Sequence, residues 1–236
     1  MKILKGTVFV VFLLVSCTNI ISITKNEDKG IKDILDAYGG YCAYSIGVSY
    51  STNEGSGKFF ELKLSKSKNM EQFSETPEVP ATYMAYTFYK NLGSENKKYS
   101  SIHCVLMLDK KREYKAEYST EQLALISEKM RVLYKVIDLI KAKNFSVLRP
   151  MLSDETYKNA NKDTLLSNLQ TIDDKFGKVK GFTLAGFRYE TLNGFNVLHI
   201  IGLIERDKQT NQFSLSVDLK PNEDKIHYLD YTYALK

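Results

Sequence analysis

The chain has 236 residues, of which 43% are hydrophobic and 26% charged, and these ordinary globular proportions exclude a wholly disordered chain. Only 4 prolines and 13 glycines exclude a collagen-like or low-complexity protein. The net charge of +5 is too small to favour a nucleic-acid partner, and 3 cysteines are too few for a dense disulfide scaffold.

The first 16 residues have the pattern of a secretory signal. Lys2 and Lys5 precede an apolar run at residues 7–15, which is far shorter than the ~20 residues of a transmembrane helix. The run ends in Leu14-Val15-Ser16-Cys17, which resembles the lipobox of bacterial lipoproteins. The resemblance implies cleavage before Cys17, a diacylglycerol on its sulfur and a further acyl chain on the new amine. Two or more acyl chains anchor a protein stably in a membrane.

The same resemblance implies where the protein resides. Residue 18 is Thr18 rather than the aspartate that retains Gram-negative lipoproteins in the inner membrane. We therefore expect a lipid-anchored protein of the bacterial cell envelope, in the outer membrane rather than the inner one if the cell is Gram-negative. Residues 17–28 are expected to be the lipidated cysteine and a tether. The alternative is an ordinary secretory signal in which Cys17 is incidental.

Residues 29–119 are predicted to form a first α+β segment, smaller than the second, with the order helix, hairpin, helix and hairpin. Apolar residues at helical spacing predict a helix that ends at Gly39 and Gly40. Alternating apolar and polar residues predict the strands that follow. The later elements are predicted at 41–51 (strand), 58–65 (strand), 70–80 (loop), 81–92 (helix), 101–108 (strand) and 113–118 (strand).

Residues 120–236 are predicted to form three helices followed by a four-stranded antiparallel meander. Ser119 or Thr120 is predicted to cap a long helix whose apolar residues recur every three or four positions. Asn193-Gly194 is a strong signal for a two-residue hairpin turn. The other elements are predicted as a short helix within 145–157, a helix from Asp163 to Gly177, and strands at 179–191, 195–205, 213–219 and 226–233.

In this second segment, Lys141-Ala142-Lys143-Asn144-Phe145 leads into Leu152-Ser153, and helices precede long strands. This element order and its hydrophobic pattern resemble the cystatin-like cone of the nuclear transport factor 2 superfamily, although no diagnostic motif is present. The resemblance implies an α+β fold in which helices pack on antiparallel sheets, with a hollow that holds a ligand. The first segment either forms its own sheet or extends the second one.

His199 and Asp218 are the candidates for catalysis. His199 lies in an apolar strand and would enter the hollow if its side chain faced the helices, where a histidine can transfer protons. Related steroid-isomerase sites use an aspartate base and a tyrosine, and Asp218, Asp230, Tyr189 and Tyr228 are residues of these types. The alternative is a histidine whose hydrogen bonds are satisfied within its strand.

Cys42 and Cys104 lie in predicted strands of the first segment. They either pair as a disulfide in the oxidising envelope or remain buried free thiols. No histidine has a second ligand at a spacing typical of a metal site, so the sequence predicts neither a metal nor a cofactor.

Tyrosines are frequent on the second predicted helix and on the first strand. Those at positions 83, 86 and 89 lie on one side of the helix, and those at 41, 44 and 50 lie in the strand. Exposed tyrosines stack on sugar rings or anchor a protein partner, and buried ones pack in the core. The sequence favours packing in or beside the core for these tyrosines over a binding role.

Three functional hypotheses follow from the sequence. The first is an envelope lipoprotein, held to the membrane by its lipid, whose C-terminal cone binds a small ligand or an envelope protein without catalysis. The second is an enzyme of proton transfer or hydrolysis in the same hollow. The third is a structural subunit of an envelope complex.

Overall fold

The computed structural model describes residues 22–51, 55–108 and 112–231. Within these residues the fold is α+β, as the sequence predicts: five α-helices pack against two four-stranded sheets whose strand pairs are mostly antiparallel. The lipobox and Cys17 lie outside the described residues. Among the described helices, none combines the length and the apolar composition needed to cross a membrane.

The N-terminal half has the predicted order of helix, hairpin, helix and hairpin. Its elements are α1 (Lys25–Tyr38), β1 (Tyr41–Ser51), β2 (Gly55–Ser65), α2 (Glu78–Leu92), β3 (Ser101–Met107) and β4 (Glu113–Ser119), with 3-10 turns at Lys68–Phe73 and Gly93–Lys98. The strands form a sheet of their own in the order β1-β2-β3-β4. β2 and β3 run parallel because α2 carries the chain back between them, and the other two pairs are antiparallel.

Both helices of this half differ from the sequence prediction at their N-termini. Thr24 caps α1 in a capping box with Glu27, so the helix starts inside the stretch expected to be a tether. α2 begins at Glu78 rather than at residue 81, and Pro80 lies in its first turn. Proline is tolerated there because the first turn of a helix has no hydrogen bond for its missing N–H to lose.

The C-terminal half has the predicted three helices followed by a meander. Its elements are α3 (Thr120–Lys141), α4 (Phe145–Leu148), a 3-10 turn (Arg149–Met151), α5 (Asn159–Phe176), β5 (Val179–Leu192), β6 (Phe195–Arg206), β7 (Thr210–Asp218) and β8 (Ile226–Asp230). The strands are antiparallel neighbours in the order β5-β6-β7-β8, separate from the first sheet. Asp163, the predicted cap of α5, lies inside that helix and accepts a hydrogen bond from Arg149 at 3.0 Å.

Helix α2 joins the two halves. It contacts α1, β3 and β4 of its own half, and β5 and α3 of the other half. The buried Thr82 hydroxyl donates to the Phe187 carbonyl at 2.6 Å and accepts from the Phe187 N–H at 3.0 Å. This side chain therefore occupies the place of a neighbouring strand at the edge of β5.

A β-bulge in β5 allows this close approach. The strand register shifts between Leu184 and Gly186, and Gly186 has a φ of +156°. A Cβ on Gly186 would lie 2.2 Å from the Val79 carbonyl oxygen, so only glycine fits beside the start of α2. Tyr38 of α1 donates to the Ala185 carbonyl at 3.1 Å, so the same bulge receives both N-terminal helices.

Apolar side chains fill the space between the second sheet and its helices. Leu198 and Ile200 of β6, and Phe213 and Leu215 of β7, have no exposed surface and belong to the same core cluster as the helices of both halves. These side chains take up the space in which the cystatin-like resemblance implies a ligand.

Candidate functional site

His199 lies on the open face of the second sheet, opposite the helices. Its neighbours Leu198 and Ile200 point into the core, and successive strand residues alternate between faces. The Nδ1 atom of His199 is 2.8 Å from the Ser216 hydroxyl and 3.8 Å from the Glu190 carboxylate. Burial lowers the pKa of His199, which the Glu190 charge opposes, so the ring is mainly neutral at pH 7.

A groove of about 530 Å³ surrounds His199 on this face. Ser216 is only 1% exposed, and its hydroxyl and the Glu190 carboxylate both approach the same nitrogen of His199. A nucleophile relay needs the hydroxyl and the carboxylate on opposite ring nitrogens, with the hydroxyl accessible. The geometry therefore fits a histidine whose hydrogen bonds are satisfied in its strand. The groove is lined by Arg188, Glu190, Leu192, His199, Gln212, Ser214, Ser216, Tyr228 and Asp230.

Asp218 belongs to a different arrangement from His199. It accepts from the Lys220 N–H at 2.8 Å, and its other oxygen is 3.2 Å from His227 Nε2. His227 Nδ1 is 2.8 Å from the Thr156 hydroxyl. Hydroxyl, ring and carboxylate thus follow the order of a relay, but His227 is 1% exposed and Asp218 3%, which leaves a substrate no access to the ring. Sequence analysis missed this arrangement because Thr156 and His227 are 71 positions apart.

The Thr156–His227–Asp218 chain holds a loop against the last strand. Leu152 forms a parallel bridge with Ile226, and the Ser153 N–H donates to the Ile226 carbonyl at 2.9 Å. The Leu229 N–H donates to the Tyr157 hydroxyl at 3.0 Å. Residues 152–157 thereby cover the edge of β8, and the buried chain has a structural role.

The structure does not assemble the steroid-isomerase set that the resemblance implies. Tyr228 donates to Asp230 at 3.0 Å, and both line the His199 groove. Asp218 is bonded to His227 instead, and Tyr189 pairs with Leu198 on the opposite face of the sheet.

The disulfide alternative for Cys42 and Cys104 does not fit the structure, in which both are buried free thiols. β2 lies between them, because Cys42 pairs with Leu64 and Cys104 with Leu62. Two strand spacings of about 4.8 Å separate them by roughly 10 Å, beyond the ~7 Å limit between disulfide Cα atoms. Burial raises the pKa of Cys42 to about 11 and also raises that of Cys104, as expected for inert core thiols.

The junction of the two halves contains a cleft of about 580 Å³, here called the tyrosine cleft. Three phenol rings line it: Tyr83 and Tyr86 of α2, and Tyr134 of α3, which is 42% exposed. The other lining residues are Lys29, Asp33, Asp36, Ala37, Thr87, Lys90, Asn91, Thr183 and Leu184, from α1, α2 and β5.

The polar wall of the tyrosine cleft is linked by hydrogen bonds. Lys29 Nζ is 2.7 Å from both the Asp33 carboxylate and the Asn91 amide oxygen, and the Asn91 amide donates to Asp33 at 2.9 Å. The hydrogen bond from Lys29 is the largest cause of the lowered pKa of Asp33. Donors and acceptors from α1 and α2 are thus held in place before a ligand arrives.

The phenol rings of the cleft stay protonated at neutral pH. Burial raises the pKa of Tyr86 to about 12 and also raises that of Tyr83, where the Asp33 and Asp36 charges add to the effect. Tyr38 packs edge-on against Tyr83 with ring centres 5.3 Å apart, which fixes the Tyr83 ring.

The core or half-buried packing expected for Tyr83 and Tyr86 is confirmed, because Tyr86 is 6% exposed and Tyr83 packs against the core, and both also border the cleft. Tyr89, grouped with Tyr83 and Tyr86 by its spacing, instead accepts a hydrogen bond from Asn96 at 3.1 Å and does not line the cleft. Tyr134 was missed, and its position at helical spacing from Arg131 and Asp138, on the polar side of the predicted helix, is the signal that could have indicated it.

Comparison of the chain with protein families, with curated proteins and with solved structures finds no match. Within residues 22–51, 55–108 and 112–231, no group of three or more His, Cys, Asp or Glu side chains is placed to hold a metal ion. A function therefore has to be inferred from the geometry of the chain itself.

Proposed function

We propose that the protein is a lipid-anchored lipoprotein of the bacterial cell envelope that binds a small, hydroxyl-rich ligand of the sugar class without catalysis. The observation that carries the proposal is the tyrosine cleft, whose lining combines the exposed Tyr134, the half-buried Tyr83 and the edge of the buried Tyr86 with a hydrogen-bonded polar wall. Aromatic rings pack on the C–H faces of sugar rings, and the polar wall receives the hydroxyl groups.

The chemistry of the wall favours a neutral ligand. Asp33 and Asp36 supply acceptors, Lys29 and Lys90 supply donors, and the Asn91 amide supplies both. A sugar hydroxyl both donates and accepts, so one ligand satisfies both kinds of group. A strongly charged ligand would instead lie against side chains of its own sign.

The proposed anchor places the cleft close to the membrane. α1, which contributes Lys29 and Asp33 to the cleft, begins at Lys25. The short stretch from Cys17 to Lys25 spans at most roughly 30 Å when fully extended. A ligand in the envelope layer next to the membrane is therefore within reach.

A matched pair of tyrosine variants tests the cleft. Tyr134 and Tyr189 are 42% and 43% exposed, but only Tyr134 lines the cleft. We expect calorimetric titration of the mature lipidated protein in detergent with di- and trisaccharides of cell-envelope glycans to show binding. Tyr134→Ala should weaken it at least tenfold, and Tyr189→Ala should leave it unchanged. Equal affinities in the two variants, or the absence of binding by the unaltered protein, would contradict the proposal.

Metabolic labelling with palmitate tests the anchor. The unaltered protein should take up the label and remain with the membrane fraction, because acyl chains are attached to Cys17. Cys17→Ser should take up no label and leave the membrane fraction. If the unaltered protein takes up no label, the proposed membrane anchor is wrong, and only the proposed ligand binding in the tyrosine cleft remains.

A further inference from the structure

Within residues 22–51, 55–108 and 112–231, no strand or helix covers the outer edge of β1, the edge strand of the first sheet. It pairs only with β2 among the described strands, in a register that is unbroken from Tyr41 to Ser51. The strand contains no charged residue and no proline. Natural edge strands generally carry such residues, bulges or covering loops, because a bare edge invites another strand.

The other three edges of the described sheets are protected. Thr82 of α2 covers the edge of β5, and residues 152–157 cover that of β8. β4, the other edge of the first sheet, exposes Glu113, Lys115 and Glu117 in alternation. The open edge of β1 is therefore a specific feature of this strand.

We propose that β1 pairs antiparallel with β1 of a second copy of this chain, about a two-fold axis at Ile46. This register places Tyr44 of each copy opposite Val48 of the other. Both side chains share the face of Ile46, and they are 37% and 55% exposed in the single chain. Pairs of aromatic and β-branched residues are among those that stabilise antiparallel strands.

The rest of the strand is compatible with the same register. Ala43 would face Ser49, so small side chains meet on the opposite face. Because β1 carries no charge, pairing with itself brings no like charges together. A two-fold axis is also the closed symmetry in which one strand edge serves as its own partner. The product is a continuous eight-stranded sheet.

The contact is expected to be weak in solution. A single pair of strand edges buries less than the ~1,200 Å² of a standard stable interface. Attachment of both copies to one membrane raises their effective concentration, so pairing is favoured there. This last step rests on the proposed lipid anchor, whereas the pairing itself does not.

Two exposed valines provide a matched test. Val48 is 55% exposed on β1, and Val147 is 41% exposed on α4. We expect sedimentation of the mature protein in detergent to show a concentration-dependent monomer–dimer equilibrium. Val147→Lys should retain this equilibrium, and Val48→Lys should abolish it, with circular dichroism showing that both variants are folded. A monomer at all concentrations, or a dimer that Val48→Lys leaves intact, would overturn the proposal.

Cysteine cross-linking tests the register. When Ala43→Cys and Ser49→Cys proteins are mixed, opposite positions should form a disulfide between the two variants, because paired Cα atoms in antiparallel strands are about 5 Å apart. Each variant alone should form far less disulfide. Cys42 and Cys104 are buried and should not compete. Equal cross-linking in the mixture and in the single variants would contradict an axis at Ile46.

Discussion

The two sheets of this molecule differ in how their edge strands are covered. In the second sheet, Thr82 covers the edge of β5 and residues 152–157 cover the edge of β8, while apolar side chains fill its helix-facing side. In the first sheet, no described strand pairs with the outer edge of β1. The tyrosine cleft lies where the N-terminal helices meet β5. The comparison indicates that the second sheet is closed at both edges, whereas the two surfaces proposed to receive partners are the cleft at the junction of the halves and the outer edge of β1.

The largest expected effect comes from the bulge that docks the two halves. Gly186→Ala would place a Cβ 2.2 Å from the Val79 carbonyl oxygen and should lower the free energy of unfolding by about 3 kcal/mol. Gly194→Ala is the control, because Gly194 has a φ of +84° with no atom within 4 Å of its added Cβ. The Gly194→Ala variant should lose only about 1 kcal/mol of folding free energy, through backbone strain. Urea unfolding measures the free energy of unfolding of both variants. Equal losses would contradict the docking of the two halves through the bulge.

A smaller effect is expected at the turn between β7 and β8. Lys129 has no exposed surface, and its ammonium donates to the carbonyls of Lys220 and Glu223 at 2.6 and 2.7 Å. Lys129→Met leaves these acceptors without their donor and should cost about 2 kcal/mol of stability. Lys135→Met, on the exposed side of the same helix, should change stability by less than about 0.5 kcal/mol. If urea unfolding gives similar losses of stability for both variants, the hydrogen bonds from Lys129 to this turn do not stabilise the second sheet.

The smallest expected effect concerns the open face of the second sheet. Burial holds the pKa of His199 below its ordinary value of 6.5, so the unfolded chain binds a proton more readily than the folded one. This histidine therefore lowers stability as the pH falls below 6.5 towards its folded pKa.

The variant His199→Gln isolates this contribution. Between pH 7 and 5 the unaltered protein should lose more stability than the variant, as urea unfolding at both pH values measures. Equal losses of stability in the unaltered protein and the variant would show that His199 does not contribute to the pH dependence of folding.

The order of the elements could be predicted from the sequence because periodicity and turn residues are local. Asn193-Gly194 forms the predicted hairpin turn, with positive φ at both residues. The face of His199 could not be predicted, because Ile200 and Ile201 make both sides of β6 apolar. The hydrophobic pattern of that strand does not distinguish its core face from its open face.

The tyrosine cleft could not be predicted, because it forms where segments far apart in the sequence pack together. Tyr83 and Tyr134 come from different halves, and they line one cleft because Gly186 lets α2 approach β5. Likewise, the free state of Cys42 and Cys104 depends on β2 lying between their strands, which follows from the parallel crossover through α2. The cystatin-like resemblance of residues 120–236 remains a prediction.

The most direct test of the proposed ligand site is to follow NMR chemical shifts while the mature lipidated protein in detergent is titrated with envelope-glycan disaccharides. We predict saturable shifts at Asp33, Tyr83 and Tyr134, which line the tyrosine cleft. Shifts confined to the residues around His199 on the open face of the second sheet, or no shift at any residue, would contradict the central claim.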